Sequence, residues 1–235
     1  MKKLLSLFWV VIPSYGQVGI GTTSPTKELD VNGELRVRNL PNSSNTTIVL
    51  TADINGNVSK NSNAQLLIDT QIDQATREID YTPNSTGFIT KNDINLGLNN
   101  TVTIPAGVRA TIITNYSVPM GLIDNIYGVN GYFGIRFLRN GIEAPAGSRK
   151  MTISEPSNAS VFMVILMSTI SATYIEEVDN LAGTTPIILN FVCNGYVEQA
   201  VANFNPIYRF NMWSPMGDNF NWGRAFMSTQ LYIKN

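Results

Sequence analysis

The sequence predicts an all-β protein: a short strand-and-turn region with a brief helical segment, then a C-terminal sandwich or jelly roll. Three observations predict it. Asn-Gly pairs recur at Asn32, Asn55, Asn130, Asn140 and Asn194, and Asn-Gly between β-like runs is the strongest short hairpin signal, because both residues tolerate positive φ. From about residue 94 the chain breaks into eight apolar or alternating runs with no helical period. Charged residues make up only 14% of the chain while Asn, Thr, Ser and Gly abound, so neutral polar groups must cover most of the surface, as in many extracellular β-proteins.

Residues 1–16, "MKKLLSLFWVVIPSYG", place Lys2 and Lys3 before an apolar core from Leu4 to Ile12 and a small-residue exit. That is the layout of a secretion signal, cleaved before Gln17. The apolar run falls short of the roughly 20 residues that span a bilayer, so no membrane span follows cleavage. A buried N-terminal strand or helix is the other reading.

Residues 17–60 form the strand-turn region. "QVGIGTTSPTKELDVNGELRV" opens on Gly-x-Gly, which could be a phosphate cradle. That reading needs a preceding strand, a third glycine and a helix opening behind them. Here Pro25 interrupts any helix and the third glycine is missing. Gly19 and Gly21 are expected instead to permit tight backbone packing in a repeat. "LDVNGELRV" and "TADINGNVSK" share the frame Asp-x-Asn-Gly-x-apolar, 23 residues apart. Asp53, Asn55 and Asn57 imitate the start of a calcium loop, but its twelfth position is Ala64 where a bidentate Glu is needed. A turn is expected, not a metal site.

Residues 61–93 hold the helical segment and a connector. Ile68, Ile72, Ala75 and Ile79 fall at spacings of four, three and four, a helix seam. One and a half heptads cannot stand alone in water. Either a helix lies on a neighbouring domain, or three chains form a short coiled coil. "DYTPNSTGFITKND" then reads as a linker.

Residues 94–235 are the head. Its runs are "TVTIPAG", "RATIITNYSV", "GYFGIRFLRNG", "SRKMTIS", "SVFMVILMSTISATYI", "PIILNFVCNGYV", "NPIYRFNMW" and "RAFMSTQLYIK". Eight or more short strands argue a sandwich or jelly roll. "VFMVILM" is apolar on both faces, which suits a central strand or a face against another subunit.

Composition excludes much chemistry. The chain has no histidine, which removes imidazole zinc ligands and the Ser-His nucleophile pair. Its single cysteine, Cys193, allows no internal disulfide and reads as a buried, inert thiol. Net charge is −1 and falls to −3 without Lys2 and Lys3; no basic stripe with interleaved aromatics suggests nucleic acid. No cofactor or metal is expected. Glycosidase chemistry needs only two carboxylates, and Glu143, Glu155, Glu176, Glu177, Asp179, Glu198 and Asp218 are available. None forms a recognisable pair, and Glu176-Glu177-Asp179 reads as a solvated turn.

The most site-like stretch is "RFNMWSPMGDNFNWGR", residues 209–224. It sets Trp213, Phe220 and Trp222 beside Asp218, Asn219, Asn221 and Arg224 on a loop between the last two strands. Aromatic faces stack on the C–H faces of sugars, and amide and guanidinium donors reach their hydroxyls. The competing reading packs both tryptophans in the core or a subunit seam, with Arg224 over a ring. The ligand-binding candidates are Trp213, Asp218, Asn219, Trp222 and Arg224.

These segments carry a resemblance. "VGIGTTSPTKELDVNGELRV" resembles the head-to-tail repeat at the start of many secreted surface proteins of Bacteroidetes and in the shafts of trimeric phage tail fibres. The segments from "TVTIPAGVRATIITNYSVPMG" to "STQLYIK" resemble the jelly-roll heads on such shafts, similar to complement-type and tumour-necrosis-factor-like trimeric domains. The resemblance implies a secreted or cell-surface homotrimer without catalytic activity, acting in adhesion or recognition of a surface glycan or protein. A structural subunit of an extracellular filament or matrix is the alternative, and a carbohydrate-active enzyme a weaker one. Neither nucleic acid nor a membrane is an expected partner.

Overall fold

The computed structural model describes residues 16–36, 50–61, 65–124, 127–154, 166–211 and 223–234. The chain divides into two compact units, Met1–Thr46 and Thr47–Asn235.

In the first unit, β1 (Val18–Ile20) and β2 (Leu29–Val31) pair in parallel, with Val18 opposite Leu29. The strands are so short that eight residues close the connection. Asp30 accepts hydrogen bonds from the Thr26 backbone N–H (2.8 Å) and hydroxyl (3.0 Å), which hold its carboxyl below the ordinary range. Gly21 has φ 73°, and a Cβ there would meet the Asn32 carbonyl oxygen at 2.5 Å; one at Gly19 would meet the Thr22 carbonyl oxygen at 2.7 Å. Both glycines are needed for close backbone approach. Asn32-Gly33 turns no hairpin: Asn32 follows β2, and its backbone N–H donates to Ile20 (2.8 Å), so the pair extends the parallel contact.

The second unit begins with a hairpin of β3 (Leu50–Ala52) and β4 (Val58–Lys60). Its turn is not type I′, since of the Asn-Gly pair only Gly56 has positive φ (80°). The Gly56 N–H donates to the Asp53 carbonyl (3.0 Å), a type I turn with glycine in the left-handed position after it. The Asp53 carboxylate accepts from the backbone N–H groups of Asn55 and Asn57, both at 2.9 Å. The calcium-like spacing is thus a turn's own capping pattern.

The remaining strands are β5 (Gln65–Gln74), β6 (Ile79–Tyr81), β7 (Ile89–Ile104), β8 (Arg109–Asp124), β9 (Asn130–Arg139), β10 (Ile142–Glu143), β11 (Arg149–Ser154), β12 (Leu166–Asp179), β13 (Ile187–Val201), β14 (Ile207–Phe210) and β15 (Phe226–Lys234). They form two antiparallel sheets packed as a sandwich. One runs β7–β13–β9, with β10 and β11 sharing the far edge of β9. In the other, β8 carries β12 on one edge and both β14 and β15 on the opposite edge. β15 in turn pairs with β5, and β14 with β6. Inward residues alternate as a half-buried strand requires: Leu96, Leu98, Val102 and Ile104 from β7, and Ile112, Tyr116, Val118 and Met120 from β8, are all buried. Phe137 stacks at 6.1 Å on Tyr116 and at 5.8 Å on Phe191, joining the sheets through aromatic contacts. Cys193 is buried beside Met227 (Sγ–Sδ 3.6 Å), and burial pushes its thiol pKa up, so it is a packing residue.

Among the described residues there is no helix, and the helical segment expected between residues 61 and 93 is corrected to the strands β5 and β6. A spacing of four is even, so Ile68 and Ile72 satisfy one face of a strand as well as a helix seam. The free edge of β15 supplies the ladder that decides between them. The stretch expected to link two domains instead carries the chain from β6 in one sheet to β7 in the other. Gln199 holds that crossing, donating to the Ser85 (2.9 Å) and Gly87 (3.1 Å) carbonyls. Glu176, Glu177 and Asp179 are likewise not a turn. They lie on β12 with alternating faces, and Glu176 receives Arg139 Nε at 2.8 Å across the gap between the sheets.

Candidate functional site

The nominated loop leaves the sandwich in a specific way. β14 and β15 lie end to end along one edge of β8: Phe210 is opposite Met120, and Phe226 opposite Ser117. The strand line along this edge of β8 is therefore interrupted between Phe210 and Phe226. The neighbouring line is broken at the same level, where residues 75–78 separate β5 from β6, and the Ala75 N–H donates to the Ala225 carbonyl (2.8 Å). β7 breaks there too. Its register against β13 shifts between Cys193 and Asn194, Gly97 has φ 71°, and its N–H is caught by Asn95 Oδ1 at 2.8 Å. Three adjacent interruptions surround one point.

At the first root, Asn211 is buried with φ 58°. Its backbone N–H donates to the Pro119 carbonyl (2.9 Å) and its side-chain Nδ2 to the Leu96 carbonyl (3.2 Å), while its Oδ1 has no partner among the described residues. At the second root, Gly223 has φ 69°, Arg224 is exposed and Ala225 buried. Of the sequence-nominated residues, Arg224 is placed at this root. Trp213, Asp218, Asn219 and Trp222 lie outside the described residues, as do Phe220 and Asn221. Beside the roots is a cavity of about 270 Å³, lined among others by Asp73, Thr76, Arg77, Asn95 and Leu96. A second, of about 320 Å³, lies at the end of the β8 sheet among Arg109, Glu177, Asp179 and Lys234.

The sequence reading named Glu143 and Glu198 singly but missed the group they join, on the outer face of the β9 sheet. Arg136 Nε donates to Glu143 at 2.8 Å, and Ser148 Oγ donates to the other Glu143 oxygen at 2.9 Å. Lys150 Nζ sits 3.8 Å above the centre of the Tyr196 ring, and the Tyr196 hydroxyl donates to Glu198. Burial and that bond push Tyr196 up to about 12. Burial raises Glu143, but its bonds from Arg136 and Ser148 outweigh this and hold it below the usual carboxylate range. A glycosidase acid needs the opposite shift, so Glu143 is suited to holding the sheet edge, not to donating a proton. The signal was available: the Asn140-Gly141 turn, with both φ values positive (50° and 79°), sets Leu138 opposite Glu143. Arg136, two residues earlier, then shares that face.

Among the described residues no group of three or more carboxylates and cysteines is placed to hold a metal ion. No helix there is long and apolar enough to cross a membrane.

The described residues define an all-β sandwich of two antiparallel sheets, with one strand line interrupted between β14 and β15. The chain matches no protein-family model and no curated protein sequence. Among solved structures it is similar to that of infectious bursal disease virus, Gx strain (11% identity, TM-score 0.22, 79% of this chain and 44% of that one). It is also similar to the VP2 subviral particle of the same virus (9% identity, TM-score 0.21, 79% and 46%). It thus spans less than half the length of either. Likeness at this level assigns neither family nor function.

Proposed function

We propose that this chain is a secreted or surface-displayed adhesion or recognition protein, non-catalytic and homotrimeric, whose head binds a surface glycan or protein through the loop of Trp213, Asp218, Asn219, Trp222 and Arg224. The observation that carries the reading is the insertion of that aromatic- and amide-rich stretch into one strand line of an otherwise regular sandwich. Binding residues concentrate on loops held by a rigid scaffold, and both ends of this one are tied to β8. The secretion-like N-terminus and the tail-fibre-like repeat support the location.

Replacement of Trp222 by Ala separates ligand contact from packing. A sugar platform loses glycan-array binding with melting nearly unchanged, whereas a core residue costs about 3–5 kcal/mol of stability. An array on which the intact protein binds nothing, together with that large loss, would leave the reading without support. Protein recovered outside the cell should begin at Gln17, and its native mass should be that of three chains.

A purely structural role in an extracellular filament or matrix is favoured by one feature. In the first unit Val18, Ile20, Leu29 and Leu35 are all more than half exposed. A segment with that much bare apolar surface is stabilised by association with copies of itself.

A further inference from the structure

We propose that the cavity beside the loop roots, between the β5–β6 connection and the bulge in β7, binds a carboxylate-bearing sugar unit, with Arg77 receiving the carboxylate. The inference rests on the recognition reading and names a ligand class for a part of the head not included in the nominated loop.

Arg77 lines the cavity and has no hydrogen bond or ion pair among the described residues. The other arginines at sheet edges are engaged: Arg109 with Asp179, Arg136 with Glu143, Arg139 with Glu176 and Arg209 with Asp80. A planar guanidinium left over at a concave site matches a carboxylate in two-point geometry. The cavity's own acid does not compete for it. Asp73 turns one oxygen to the Gln74 N–H and the other to the Asn99 N–H, both at 2.9 Å, so it fastens β5 to the edge of β7.

Size and lining select the rest of the ligand. At about 270 Å³ the space is just below the roughly 300 Å³ where ligand pockets begin, enough for one compact ring. Gln74, Thr76 and the Asn95 amide offer neutral donors and acceptors suited to hydroxyls, and Leu96 and Ile79 offer apolar wall for a C–H face. A bulge with a left-handed Gly97 re-aims the β7 edge here, as bulges beside binding sites do.

The test titrates the mature chain with a glucuronate-terminated oligosaccharide and its glucose-terminated counterpart, by calorimetry, beside Arg77→Gln. The acidic sugar should bind about tenfold or more tightly than the neutral one. Arg77→Gln should erase that difference while shifting the melting temperature by no more than about 2 °C, because the side chain makes no hydrogen bond or ion pair among the described residues. Equal binding of both sugars, unchanged in Arg77→Gln, overturns this inference and leaves the recognition reading intact. Preference for a glutamate-rich peptide over both sugars overturns the sugar assignment. Binding of neither sugar, together with an empty glycan array, removes both proposals.

Discussion

Asn211, just past the end of β14 in one sheet, donates its side-chain amide to the carbonyl of Leu96 in the other sheet at 3.2 Å, so one residue pins the two sheets together where β14 ends. It does so with φ 58° and a buried Oδ1 that has no partner among the described residues, two unfavourable features at one position. Asparagine tolerates the left-handed conformation better than other non-glycine residues. Replacement by Ala leaves the Leu96 carbonyl unpaired without relieving the backbone, and should cost about 1–3 kcal/mol. Asn211→Gly relieves the backbone and should cost less. Urea unfolding of the two variants checks the order; Ala more stable than Gly would contradict it.

Strand and helix make different demands on the isoleucines of residues 68–79. Ile72 is 64% exposed on the outer sheet face, whereas Ile79 packs against the core. Ile72→Asp should therefore change stability by less than about 0.5 kcal/mol, and Ile79→Asp should destabilise the head by about 2 kcal/mol or more. Equal effects at the two sites would fit a helical seam and not this sheet.

Gly134 lies opposite Lys150 in the ladder between β9 and β11. A Cβ there would approach the Arg149 carbonyl oxygen to 2.2 Å and the Lys150 Cα to 2.6 Å, and backbone cannot swing aside as a side chain can. Gly134→Ala should cost about 1–3 kcal/mol and increase hydrogen exchange along β11. A variant as stable as the parent would show that β11 sits farther from β9 than described.

Alkaline pH should weaken the head. Tyr196 is raised from 10.0 to about 12 by burial and its bond to Glu198, so the folded chain keeps a proton that the unfolded chain releases. This contribution is whole below about pH 10 and is lost as pH rises through 12. Buried Tyr116 and Tyr208 are pushed the same way. Melting temperature should fall over that interval, and Tyr196→Phe should flatten the fall. The same alkaline slope in the variant would exclude Tyr196 as a source.

The sandwich was legible from residue 94 onward because alternation along strands such as β7 and β8 records directly which face is buried. The turn at Asn140-Gly141 was legible for the same local reason. Residues 65–81 were not, since the spacing of four between Ile68 and Ile72 fits either element and the deciding partner, β15, lies some 150 residues away in sequence. Asn194-Gly195 misleads as a turn signal because Gly195 is there for another reason: a Cβ would sit 2.9 Å from Phe210 Cζ. Arg77 gave no signal at all. Its placement in a cavity depends on three interruptions in separate strands falling at one level, and no single stretch encodes that.

The end-to-end arrangement of β14 and β15 also bears on how this chain can change. Met120 and Ser117, the β8 residues facing the two loop ends, are three positions apart on one strand, roughly 10 Å. The ladders that β8 makes with β14 and β15 therefore do not depend on the length of chain joining the two. The sandwich acts as a chassis and the insertion as a cassette. A lineage that meets a changing surface would rewrite about a dozen residues and keep its core, and a protein engineer could graft a foreign loop at the same two joints.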